Sequence, residues 1–151
     1  MAVKTRGYAH RVDLAAPPAR VWTALIEPAL LSRWHGPNPV VKPKAGGRFA
    51  GVLDPGLERE ATIDIYEPYR RLRLVYLTPA QLPAFEGAVV DDYLIEPEGT
   101  TTILRLLGSG IPEGKLWDPY YMKLRVNSER ALARLKLLLE RKVAPPARPV
   151  T

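Results

Sequence analysis

The sequence predicts an α+β fold in which a curved antiparallel sheet of about six or seven strands wraps one long C-terminal helix, with two short helices after the first strand. Three observations carry this. The run from Pro119 to Lys142 places its apolar residues on one helical stripe and is closed by Pro145-Pro146, which makes a rod of roughly 36 Å at 1.5 Å per residue. Most of residues 8–107 break into short alternating segments separated by Gly, Pro and Asp, the texture of antiparallel strands. The order is strand, bent helical pair, strands, long helix, and a helix that follows so much strand must bury its stripe against the sheet. Because a curved sheet cannot touch a straight helix everywhere, an internal cavity is expected between them.

Taken in chain order, Tyr8 to Leu14 alternate with Tyr8, His10, Val12 and Leu14 on one face, as a half-buried strand requires. Ala15-Ala16-Pro17-Pro18 starts a helix with Val21, Trp22, Leu25 and Ile26 as its apolar members, and Pro28 bends the chain into a second turn, Ala29 to Trp34. Strands are expected over Val40–Lys42, Arg48–Leu53, Glu58–Tyr66, Arg71–Leu77, Ala88–Glu96 and Thr100–Leu107. Their turns are Ala45-Gly46-Gly47, Asp54-Pro55-Gly56, Glu67-Pro68 and Pro97-Glu98-Gly99. Residues 79–87 form a longer, partly apolar loop, and Gly108 to Pro112 lead to the final helix. Asp118-Pro119 opens that helix, the aspartate as its cap. Its buried stripe comprises Tyr121, Leu124, Ser128, Ala131, Leu132, Leu135, Leu138 and Leu139. Ser128 stands out, because Leu or Trp would pack better there. Residues 1–143 read as one domain, and the Pro-rich residues 144–151 as a disordered tail.

Apolar content of 46% and charged content of 25% are ordinary for a globular protein. No apolar run reaches the roughly 18 residues of a membrane span, and the first residues lack a signal-peptide core, so a cytoplasmic location is expected. With no cysteine, disulfides, thiolate nucleophiles and Cys-based metal sites are excluded. The two histidines, His10 and His35, fit no metal spacing and read as surface or structural residues, so no metal or other cofactor is expected. The net charge of +6 comes from residues 120–151, which carry 8 Lys/Arg against 2 Asp/Glu, while residues 1–119 balance at 14 each. That excess is the solvent face and end of one helix, not a nucleic-acid motif.

Four clusters carry a resemblance: Ala15-Ala16-Pro17-Pro18 with Val21-Trp22 and Leu25; Leu31 and Trp34 with Gly36-Pro37; Gly46-Gly47-Arg48-Phe49; and Ala131-Leu132, Leu135 and Leu139-Glu140. In this order and spacing, over about residues 8–142, the chain resembles the START-related (SRPBCC) helix-grip superfamily of birch-pollen-allergen-like domains. Within it the chain is similar to the homologues of the activator of the ninety-kilodalton heat-shock-protein ATPase (AHSA-like). The resemblance implies the helix-grip fold and a cavity, but no single reaction. Relatives include carriers of hydrophobic molecules, polyketide cyclases, toxin-capturing resistance proteins and co-chaperone domains. Two departures stand out: Trp34-His35 replaces a common Trp pair, and Asn127-Ser128 replaces a frequent Gly-Trp. The second implies either a wider, more polar pocket or a neighbouring aromatic, such as Tyr93 or Trp117, that fills the volume.

The expected ligand-pocket residues are Trp34, Phe49, Tyr76, Tyr93, Trp117, Tyr121, Leu124 and Ser128, aromatic contact with hydroxyls to orient a ligand. Core filling competes with that role for each. Asp91 and Asp92 are adjacent on a strand and point to opposite faces, so they cannot act as a converging carboxylate pair. Asp64 or Asp92 beside Tyr76 or Tyr93 would serve as a general base only if buried, and a solvated outer face competes with that. Arg48 and Arg105 could pair with an inward carboxylate or an anionic ligand, or form surface ion pairs. Ser109 lies in no nucleophile elbow, and Gly46-Gly47 lack the lysine and following helix of a phosphate loop.

The reading is a domain that binds a hydrophobic or aromatic small molecule in the sheet–helix cavity, entered at the 79–87 loop or the short helical pair. Two alternatives stand beside it. A cyclase- or dehydratase-type enzyme would show a buried carboxylate within reach of a tyrosine hydroxyl and an open pocket. A co-chaperone-like interaction module would show a filled core and an exposed patch for a protein partner.

Overall fold

The computed structural model describes residues 3–54 and 57–141. The segment 144–151, expected as a tail, lies outside them, as do Pro55 and Gly56 of one expected turn. The chain runs β1 (Thr5–Leu14), α1 (Pro18–Ile26), α2 (Pro28–Trp34), β2 (Val40–Val41), β3 (Arg48–Asp54), β4 (Leu57–Glu67), β5 (Arg71–Tyr76), β6 (Val89–Glu98), β7 (Thr101–Pro112) and α3 (Asp118–Glu140). The strands form one antiparallel sheet in the order β1-β7-β6-β5-β4-β3-β2. It grips α3, as the helix-grip fold requires.

The short helices are placed by prolines. Pro18 and Pro28 each stand in a first turn, and Glu27 both ends α1 and begins α2. Proline has no N–H to waste there, and its ring forbids continuing the preceding helix. The Trp34 indole N–H donates to Ala24 O at 2.8 Å, fixing the bend. The Arg134 Nε–H of α3 donates to Trp34 O at 2.8 Å, satisfying a free carbonyl at the end of α2 and docking the pair on the long helix.

Inward residues follow the strand alternation. Leu72, Leu74 and Tyr76 of β5 are buried, as are Leu57, Arg59, Ala61 and Ile63 of β4. A register shift between Ile63 and Ile65 breaks the phase, and beyond it Tyr66 packs edge-on against Trp22, ring centroids 5.1 Å apart.

Three expectations are corrected. Gly108 to Pro112 is not a lead-in to the helix but the end of β7, paired with Thr5, Arg6 and Tyr8 of β1. Asp118 does not cap α3. Trp117 occupies the cap position without a side-chain bond, and Asp118 in the first turn instead pairs with Arg6 at 2.6 Å. The buried stripe begins with Tyr120, not Tyr121, and Leu138 lies at its edge. Tyr121 is half-buried because its hydroxyl donates to Gly7 O at 2.9 Å and its ring lies under the Arg6 guanidinium, 4.4 Å away. A polar tip with a backbone partner pulls the ring to the rim of β1.

Candidate functional site

Between α3 and the concave sheet face lies a buried polar cluster. Asp91 of β6 and Arg59 of β4 have side chains only 2% and 3% exposed, joined by Arg59 Nη1–H to Asp91 Oδ2 at 2.9 Å. The Tyr8 hydroxyl of β1 donates to Asp91 Oδ1 at 2.5 Å. The Arg59 guanidinium carbon lies 3.4 Å from the Tyr76 ring centroid, a cation held on an aromatic face. The Tyr76 hydroxyl faces the same carboxylate, near enough to be influenced by it, without closing a hydrogen bond of normal geometry. Arg59 Nε and Nη2 also have no protein acceptor. Ser128 of α3 is buried close enough to Tyr8 to act on its hydroxyl.

The electrostatics follow from burial. Desolvation, then the Asp91 charge, push the Tyr8 hydroxyl well above its ordinary value, and the same causes act on Tyr93. Desolvation leads for Tyr76 as well, with Arg59 opposing. Burial works against the Arg59 charge, but the Asp91 carboxylate at 2.9 Å and the face of the Tyr76 ring offset it and keep the guanidinium ionised. His35, buried at the end of α2, falls to about 4, through desolvation first and then the Arg59 charge. At neutral pH the cluster is therefore one ion pair ringed by neutral phenols and a neutral imidazole.

The seat for Tyr8 is made by Gly108, its register partner on β7. A Cβ at Gly108 would lie 2.3 Å from Tyr8 Cζ, so no other residue leaves room for the ring. Gly108→Ala is expected to push Tyr8 off Asp91 and lower stability by about 1–3 kcal/mol, as overpacking does. Urea denaturation reads it, and an unchanged midpoint would contradict this seating.

The expected pocket residues divide into groups. Tyr76, Tyr93 and Ser128 surround the ion pair. Trp34 and Phe49 each meet His35 edge-on, with centroids 5.4 and 6.2 Å away. Trp117 lies between Phe85 of the 79–87 loop, at 5.3 Å, and Tyr120, at 5.6 Å. Leu124 is fully buried in the core. Tyr121 stands apart, on the wall of a groove between β1 and α3 of about 390 Å³.

The carboxylates sort as alternation demands. Asp91 looks inward, whereas Asp92 pairs with Arg71 at 2.7 Å and Asp64 is half-exposed near Arg73. Arg48 and Arg105 form exposed pairs with Glu60 and Glu96. The inward arginine is Arg59, which the sequence reading did not single out, nor did it assign site roles to Tyr8, Tyr120 or His35. Strand phase held the signal for the buried ion pair: Arg59 shares a face with Ala61 and Ile63, and Asp91 shares one with Tyr93. Among the described residues there is no cluster of His, Cys, Asp and Glu able to hold a metal ion. No helix described is long and apolar enough to cross a membrane.

Several solved structures share the fold. Protein MLL2253 from Mesorhizobium loti is 26% identical, with a TM-score of 0.77 over 91% of this chain and 98% of that one. Aha1 from Colwellia psychrerythraea, solved as a dimer, is 16% identical, with a TM-score of 0.74 over 89% and 96%. CalU16 from Micromonospora echinospora is 23% identical, with a TM-score of 0.70 over 91% and 78%. No curated protein matches the chain. The family model described as Activator of Hsp90 ATPase homolog 1-like protein matches residues 15–140, from just before α1 to the end of α3, and the chain belongs to that family.

Proposed function

We propose that the chain binds a hydrophobic or aromatic small molecule between α3 and the concave face of the sheet. The observation that carries this reading is an aromatic path leading inward from the surface. Its outer end is a notch of about 260 Å³ bounded by Val3, Pro83, Phe85, Pro112, Leu116 and Trp117. Leu116 is 71% exposed there and Phe85 half-buried. From Phe85 the rings pass to Trp117 and Tyr120, and Tyr120 is within electrostatic range of Arg59. A space of about 150 Å³ suffices for benzene, so the notch admits one ring. Phe85 sits on a loop, where displacement is cheap, and the guest ring replaces it against Trp117.

Naphthalene titrated into the labelled protein is expected to shift the Trp117, Tyr120 and Phe85 resonances. Phe85→Ala is expected to raise the association rate at least several-fold by removing the plug. Unmoved resonances, together with no small molecule retained in native mass spectra of freshly purified protein, would overturn the reading. One observation favours a second reading, a cyclase- or dehydratase-type enzyme: a buried carboxylate in hydrogen bond with a tyrosine hydroxyl. With its pKa raised, Tyr8 keeps its proton at neutral pH and would not act as the base.

A further inference from the structure

We infer that the polar end of the ligand is a neutral, planar pair of acceptor oxygens, as in an enolised diketone, received by the free edge of Arg59. The inference rests on the proposed binding function and names the chemistry its inner end selects.

Arg59 spends one nitrogen, Nη1, on Asp91, and Nε and Nη2 remain without a protein acceptor in a side chain 3% exposed. Those two nitrogens form the parallel fork that takes two coplanar oxygens at once. Buried polar groups in native proteins are nearly always paired, and leaving donors of a charged group unmatched is costly. An unpaired fork, with the Tyr76 hydroxyl also uncommitted beside it, is therefore shaped for an acceptor from outside the chain. Tyr76 does not supply that acceptor: the guanidinium carbon lies over its ring, 3.4 Å from the centroid, and neither free nitrogen bonds its hydroxyl.

Charge decides between a carboxylate and a neutral pair of oxygens. The Arg59 charge is already matched by Asp91, so a carboxylate would leave a net negative charge in the interior, with no second buried arginine or lysine among the described residues to meet it. Arg134, the other arginine that influences His35, spends its Nε–H on Trp34 O. Burying an uncompensated charge is far more expensive than burying a hydrogen-bonded neutral group. A neutral oxygen pair uses both donors and adds no charge, and the Tyr76 hydroxyl can donate to one of the two oxygens. The ring attached to that group then lies along Tyr120 and Trp117.

The test compares four probes on the intact wild-type protein near neutral pH, by calorimetry and by the Arg59 Nε–H resonance. Benzoylacetone offers two oxygens, butyrophenone one, naphthalene none, and cinnamate an anionic pair. Benzoylacetone is expected to bind about tenfold more tightly than butyrophenone, the effect of one additional hydrogen bond to a charged donor, and to move the Arg59 Nε–H signal. In Arg59→Lys, which keeps the charge beside Asp91 and loses the fork, that preference is expected to fall to within about twofold, while naphthalene binding persists. Equal binding of benzoylacetone and butyrophenone overturns the inference, as does a preference that survives Arg59→Lys or a stronger affinity for cinnamate. In each of those cases naphthalene binding leaves the binding function standing. Failure of all four probes overturns both. The wild-type comparison decides even if the lysine variant does not fold.

Discussion

Asp91→Ala is expected to cost about 3–5 kcal/mol of folding stability, the usual effect of removing one partner of a buried ion pair. The reason is what remains. Arg59 would keep its charge in a site from which water is excluded, and the Tyr8 hydroxyl would lose the oxygen to which it donates. Domains of this size hold only about 5–15 kcal/mol in total, so the substitution removes a large part of the margin. Asp92→Ala, one residue along the same strand, is expected to cost under about 1 kcal/mol, because its Arg71 partner is 34% exposed and solvent replaces the interaction. The double change Arg59→Met with Asp91→Leu is expected to recover most of the loss, because it removes both charges and leaves none unpaired. Guanidinium denaturation of the three variants checks all of this. Equal costs at positions 91 and 92 would show that the inward carboxylate is not holding the interior together.

Acid is expected to weaken the protein through His35. Its imidazole is pushed down to about 4 in the folded state from an ordinary value of 6.5, first by burial and then by the charge of Arg59. Above pH 6.5 both states are neutral there, and the group makes no difference. As pH falls below that value the unfolded chain takes up the proton first, so stability declines until the folded form also protonates near pH 4. The full difference is about 3 kcal/mol. Arg59, Arg134 and Asp91 all act on His35, the two cations against its charge and the carboxylate for it. His35→Leu keeps an apolar neighbour for Trp34 and Phe49 and cannot titrate. Its denaturation midpoint is expected to stay nearly level from pH 6.5 to 4, whereas that of the wild type falls. Parallel curves for the two proteins would assign the acid sensitivity elsewhere.

The same residues show how far a sequence can be read. The α3 stripe was legible from Leu124 onward because helical periodicity repeats over many turns. It failed at the first turn, where a single hydrogen bond from Tyr121 to β1 decided which of two adjacent tyrosines turned inward. Ser128 was legible as an anomaly, a small polar residue on a buried stripe, but its partner was not. That partner is the neighbouring Tyr8, 120 positions earlier in the chain on β1, the strand against which α3 packs.

Composition and local periodicity by themselves determined the α+β order of elements, the proline-set bend, the inward faces of β1 and β5, and the absence of any thiol chemistry. Those features depend on neighbours a few residues apart, and the chain states them directly. Only the tertiary structure decided that Arg59, Asp91, Tyr8 and Tyr76 share one buried site, because they arrive on four strands whose pairing joins residues tens of positions apart. An arginine in a strand reads as a surface charge until the fold supplies the carboxylate and the aromatic face that let it be buried. Its meaning is fixed by long-range partners, and no local pattern encodes them.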